Sequence, residues 1–335
     1  MALFVNSLVL AALAFTAPSD EAADRVSTSF DLEAWSLKRA VLKEEAHRLA
    51  VAFTNFTARA AQPSEDAAVP LETHPDGSVK LKIEAKKACV FVDEGYVLGS
   101  DVSIFNYAED GSETTRIDAK ECLIDRTTKS GWAQGAARFR HGKTVFTGED
   151  LFFSSPEQYL MAFRRLQIDS ADMLSGAALE GKMPTAVAKT SLPTHRPAGE
   201  SVKIRSRAGD FDRAENVVVF EGAVQVDYVP DYQMTGENLY AFLDGDGLNR
   251  LVAFGNVTLT NDVRSGACDR VVFRRKTGEI EMYGKTGGDR AHLEEAAGNA
   301  VDGRCIKIWL DGEQVEVVDS VLTIKTQGKG ELKKL

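Results

Sequence analysis

Residues 218–228 read VVFEGAVQVDY, and residues 251–261 read LVAFGNVTLTN. In both, apolar side chains keep one parity on either side of a glycine. They are Phe220, Val224, Val226 and Tyr228 in the first stretch, and Ala253, Val257 and Leu259 in the second. Period-two alternation places such side chains on one face of a strand. A strand with one apolar face must bury it, so its sheet either folds over on itself or packs against a second sheet.

A second pattern interleaves with the first. VKLKIEAKKACVFVD (79–93), TTRIDAKECLID (114–125) and KTVFTGEDLFFS (143–154) each carry a small residue, two charged residues and then alternating apolar positions. YQMTGENLYAFLD (232–244), VRSGACDRVVFR (263–274) and NAVDGRCIKIWLD (299–311) repeat the pattern in the second half. The nearest echo is FTGEDLFF at 146–153 against MTGENLYAF at 234–242. Repetition on this scale marks a repeat architecture. The small residue reads as a strand opening where bulk is excluded, at a tight bend or bulge. Gly148 and Gly236 are therefore expected where the chain has no room for a side chain, with Leu151 and Leu239 facing inward. Turn signals at Asp244-Gly245-Asp246-Gly247, Thr277-Gly278 and Asp311-Gly312 suit hairpins. The first of these lacks the remaining ligands of an EF-hand and reads as a turn.

The expected fold class is all-β: two folded antiparallel β-sheet modules, with one N-terminal helix left open. The modules span 30–171 and 201–328. Between them, 172–200 carries Pro184, Pro193 and Pro197 without alternation and reads as a linker. Residues 329–335 form a basic tail. At the other end, 1–24 reads as a signal peptide, its apolar run over residues 2–17 suiting an h-region. A buried helix and a retained membrane anchor over 2–17 are the competing readings. Residues 31–53 place Arg39, Lys43, Glu44 and Glu45 at helical spacing, whereas HRLAVAFTNFTARA alternates, so strand is expected from 47 onward.

With 335 residues and a net charge of −10, the chain can hold two domains and lacks the basic balance of a nucleic-acid binder. Its four cysteines (Cys89, Cys122, Cys268, Cys305) form no CxxC, and its five histidines are scattered, so no metal site is expected. Small free thiols are favoured over bridges. No nucleophile elbow, P-loop or dinucleotide fingerprint is present, and the acidic residues, such as Glu221 and Asp227, fall on the polar parity of strands. No cofactor and no catalytic residue is assigned.

The series VVFEGAVQVDY, MTGENLYAFLD, LVAFGNVTLTN, SGACDRVVFR and VDGRCIKIWLDGEQVEVVDSVLTIK resembles the OstA/LptA family of lipopolysaccharide-transport proteins over about 201–326. RIDAKECLIDRTTKSGWAQGAARF and TVFTGEDLFFSSPEQYLMAFRRLQID are similar to LptC of the same system, over about 79–170. The resemblance implies a β-jellyroll or β-taco in each half, with an apolar interior that shields acyl chains. It implies a non-enzymatic periplasmic protein that bridges toward the outer membrane. Its partners would be lipopolysaccharide or a related glycolipid, and other Lpt components or further copies stacked edge to edge. Membrane association would come through those partners or an uncleaved N-terminus. Interior positions carried onto this chain are Phe220, Val224, Val226, Leu239, Ala253, Val257, Leu259, Ile306 and Ile308, with Leu151 and Phe153 in the first half. The alternatives are a structural scaffold with a dry core and a carbohydrate-active enzyme on a β-solenoid.

Overall fold

The computed structural model describes residues 31–60, 63–142, 144–170, 201–229, 232–244, 247–285, 287–296, 298–309, 315–319 and 321–323. The expected signal segment, the 172–200 linker, the Gly245-Asp246 pair and the basic tail lie outside them. The chain divides into two compact units, Met1–Lys43 and Glu44–Leu335, with helix α1 (Leu32–Arg59) running through the division. In the first unit Asp31 caps the helix, its side chain accepting the Ala34 N–H at 2.9 Å, and Arg39 lies over the Trp35 ring at 5.4 Å.

The helix corrects the expectation of strand from residue 47. Ala46, Leu49, Phe53 and Phe56 are buried, a spacing of three and four residues that marks one helical face. The local alternation of HRLAVAF is overruled because those same residues also satisfy the longer helical period. Phe56 packs on Phe91 and Tyr96, with ring centroids 4.6 and 4.7 Å away. Arg48 donates to Asp125 at 3.0 Å and to the Tyr96 hydroxyl at 2.6 Å.

The rest of the second unit is one antiparallel sheet of 19 described strands. The first seven are β1 (Ser64–Thr73), β2 (Val79–Phe91), β3 (Tyr96–Tyr107), β4 (Glu113–Asp125), β5 (Ser130–His141), β6 (Thr144–Ser154) and β7 (Tyr159–Ser170). Then come β8 (Ser201–Arg205), β9 (Ala208–Asp212), β10 (Val217–Val229), β11 (Tyr232–Asp244), β12 (Gly247–Thr260) and β13 (Arg264–Arg274). The remainder are β14 (Glu279–Tyr283), β15 (Ala291–Glu295), β16 (Ala300–Gly303), β17 (Cys305–Trp309), β18 (Val315–Val318) and β19 (Val321–Thr323). Neighbours in sequence pair from β1 through β7 and from β9 through β14, and β7 pairs with both β8 and β9, so the sheet is continuous from the first half into the second.

One crease runs across the sheet. Long strands bend at it, and short ones come in pairs that break there: β8 and β9 at Ser206-Arg207, β14 and β15 between Tyr283 and Ala291. The motif of a small residue and two charged residues is that crease. In β2, Ala85 and Ala88 are buried while Lys86 and Lys87 between them are exposed; in β13, Asp269 and Arg270 separate Cys268 from Val271. Two successive outward residues shift the parity, so both halves of the strand still turn their apolar side chains inward. Strands β10 and β12 make the same corner with an extra residue. Gly222 and Ala223 have φ of 75° and 51°, Gly255 and Asn256 have 79° and 47°, and the ladder shifts register at both places. The motif therefore lies mid-strand and not at a strand opening, because a break in alternation reads the same in sequence whether a strand begins there or bends. A Cβ on Gly148 would stand 3.0 Å from that of Ala162, whereas one on Gly236 would meet nothing nearer than 3.5 Å. The lack of room expected at both glycines holds only for Gly148. A bend on β11 is compatible with a side chain there.

At one end of the strands the hairpin turns are stitched to one another. Arg126 donates its backbone N–H to Gly95, Ser155 to Lys129, Arg213 to Gln158, Leu243 to Asn216 and Arg275 to Asn249.

Candidate functional site

The crease divides the sheet into two leaves whose inner faces share one hydrophobic cluster. On the first leaf, the ladder aligns Leu151, Ala162, Gly209, Phe220, Leu239, Ala253, Val271, Met282 and Ile306 in a row that crosses nine strands. Beside it, farther from the crease, runs Ile124, Gly131, Phe153, Leu160, Phe211, Val218, Ala241, Leu251, Phe273, Ile280 and Ile308. The second leaf answers with Ile83, Ile104, Ile117, Phe139, Phe146, Ile168, Ile204, Val226, Met234 and Leu259.

All eleven interior positions expected from sequence lie on these rows or, for Val224 and Val257, at the crease, and each is buried, from 0% exposed at Phe220 to 6% at Leu259. Sequence reasoning missed the isoleucines of the second leaf, although KLKIEAK in β2 carries their alternation plainly. It also missed where the leaves meet. Phe146 of the second leaf stacks on Phe211 of the first, and Phe139 packs tilted against the same ring, with centroids 5.1 and 6.0 Å away. In the first half the row nearest the crease on the first leaf is made mostly of small residues, Gly99, Cys122, Ala133 and Ala162 with Leu151 among them.

Outside this aromatic contact, on the open side away from the crease, a narrow cleft of about 60 Å³ remains. Leu81, Ile104, Ile117, Phe139, Phe153 and Phe211 form its walls, and Asn106, Thr115, Ser155, Gln158 and Arg213 its rim. It is apolar in depth and polar at the mouth.

The outer faces differ. On the second leaf the outward row is Ser103, Asp118, Arg138, Thr147, Gln167, Arg205, Gln225, Thr235 and Thr258. On the first leaf it is Leu123, Trp132, Phe152, Met161, Asp210, Val219, Tyr240, Val252, Val272 and Glu281, mostly buried. Asp210 is a buried carboxylate within that row, and Glu281 ends it in a charge network. Arg274 lies 2.7 Å and Lys307 3.4 Å from its carboxylate, and Tyr283 donates to it at 2.9 Å. Burial works against its charge, but hydrogen bonds from Arg274 and Tyr283 and the Lys307 ammonium hold its pKa below the usual carboxylate value.

All four cysteines are free thiols, Cys122 and Cys305 buried and the other two half-buried. Burial pushes the Cys268 thiol up to about 12 and Cys122 higher still. Both are therefore protonated and unreactive at neutral pH. Among the described residues no group of three or more His, Cys, Asp or Glu is placed to hold a metal ion, and no helix is long and apolar enough to cross a membrane.

No family model and no curated relative matches the chain. Among solved structures the chain is similar to LptH, the LptA-homologous periplasmic component of the lipopolysaccharide transport device of Pseudomonas aeruginosa. Identity is 14% over 37% of this chain and 95% of that one, with a TM-score of 0.31.

Proposed function

We propose that this chain is a non-enzymatic periplasmic carrier for an acylated glycolipid, lipopolysaccharide or a relative, on its way to the outer membrane. The observation that carries the reading is the continuity of the apolar rows. They run from strand to strand along both leaves without a charged residue, a path along which hydrocarbon could move. Each buried methylene contributes ~0.8 kcal/mol, so a multi-acylated lipid would stay with such a path and out of water. The sequence resemblance supports an LptC-like module over 30–171 and an LptA-like module over 201–328, with interior residues Leu151, Phe153, Phe220, Val224, Val226, Leu239, Ala253, Val257, Leu259, Ile306 and Ile308 as the acyl-facing set. Other Lpt components or further copies would join at free sheet edges, and an uncleaved 2–17 segment or those partners would hold it to the membrane.

Photo-crosslinking tests the path. A photoreactive residue at Val226 or Leu259 should capture glycolipid, whereas one at Gln225 or Thr258 on the outer face should not. Equal labelling at all four positions, or none, defeats the reading. A dry-core envelope scaffold is the second reading, favoured by the Phe139–Phe146–Phe211 contact that draws the leaves together. Native mass spectrometry after mild extraction separates the two, since a carrier retains or accepts lipid and a scaffold does neither.

A further inference from the structure

We infer that the mouth of the cleft is a head-group site, where Arg213 holds the acidic oxyanion of an acyl-chain amphiphile whose hydrocarbon lies against Phe211 and Phe139. The inference rests on the carrier reading and adds the charge of the cargo and the residue that meets it. Arg213 follows strand β9, two residues after Phe211, so one short segment supplies both the cation and the apolar wall. Its backbone N–H is fixed by Gln158 at 3.0 Å, which holds the turn against the β6–β7 turn across the rim.

The guanidinium has no ion partner among the described residues. Among the described residues that line the cleft it is the only charged one, whereas Arg164, Arg205 and Arg274 elsewhere on the sheet each lie within 3.1 Å of a carboxylate. The neighbouring Asp212 does not neutralise it. Its carboxylate accepts the backbone N–H groups of Ala214 at 3.1 Å and Glu215 at 3.2 Å and so closes its own turn. Around the same rim, Asn106, Thr115, Ser155 and Gln158 add polar groups, while the floor is hydrocarbon and aromatic. A half-exposed guanidinium over an apolar floor matches an amphiphile with one anionic head. A neutral lipid would leave the cation unused, and a hydrophilic anion would leave the floor unused.

The test uses the full chain and a fluorescent C18 polyene fatty acid, with its uncharged methyl ester as the second probe. The expected result is tighter binding of the acid than of the ester. Arg213→Glu should weaken acid binding by about tenfold or more while changing ester binding less than about twofold, and Arg213→Gln should fall between. Because Arg213 is a rim residue, each variant should melt with the parent, so lost binding would not reflect lost fold. If acid and ester bind equally and Arg213→Glu changes neither, the head-group site is wrong while the carrier reading stands. If neither probe binds the parent chain, the carrier reading fails and the head-group site with it.

Discussion

The two leaves are built from the same strands, yet they answer to different surroundings. The second leaf has one buried face and one wet face, and its strands alternate accordingly: Gln225, Thr235 and Thr258 outside, Val226, Met234 and Leu259 inside. The first leaf is buried on both faces, and its strands read as apolar runs such as Val217–Phe220 and Leu251–Ala253. Alternation is the mark of a leaf exposed on one side, and its loss marks a leaf buried on both.

A charge placed on the two outer faces should break that comparison most sharply. Val252→Asp, on the first leaf, should cost several kcal/mol and leave little folded protein, because the carboxylate is buried without a partner. Thr258→Asp, in an exposed outward position of the second leaf, should leave chemical denaturation nearly unchanged. Equal effects would show that the outer face of the first leaf is open to water. Next in size, Phe146→Ala removes a fully enclosed ring from the contact between leaves and should cost about 3–5 kcal/mol in urea unfolding.

The crease offers a finer contrast. Gly255→Val forces a β-branched side chain into a left-handed conformation and should cost about 1–3 kcal/mol. Within the twin TGE stretches, Gly148→Ala should cost about 1 kcal/mol through its close approach to Ala162, while Gly236→Ala should be neutral or slightly stabilising. The smallest effect concerns acid. Because the folded-state pKa of Glu281 is lowered, its contribution is fully present above the unfolded value of about 4.3 and is lost as pH falls through the folded value. Melting temperatures measured across that window should drop less steeply for Glu281→Gln than for the parent.

Much of this was legible in the residues. Period-two parity identified the interior of the second half, and the run of Ala-Lys-Lys-Ala, Ala-Lys-Glu-Cys and Gly-Glu-Asn-Leu exposed a recurring bend. What parity could not supply was the bend's place within a strand, since a pair of outward residues looks like an ending. Nor could it find the outer row of the first leaf: Leu123, Trp132 and Val252 interrupt the alternation, and only the ladder shows that they line up. Helix α1 was half visible because the same letters at 47–53 satisfy two periods, and only their packing on Phe91 and Tyr96 chooses between them. Arg213 gave no signal at all, as a lone cation in a turn is ordinary until its missing carboxylate and its apolar floor are seen together.

The stitching of turn to turn has a consequence for how such a chain could change length. Each rung is fastened to the rung before it by the same backbone bond, from Arg126 to Gly95 through Arg275 to Asn249, and none of these bonds depends on side-chain identity. A hairpin inserted or excised at that end would find the same donor and acceptor waiting. The number of rungs is thus a quantity that gene duplication and deletion can adjust without redesigning any joint.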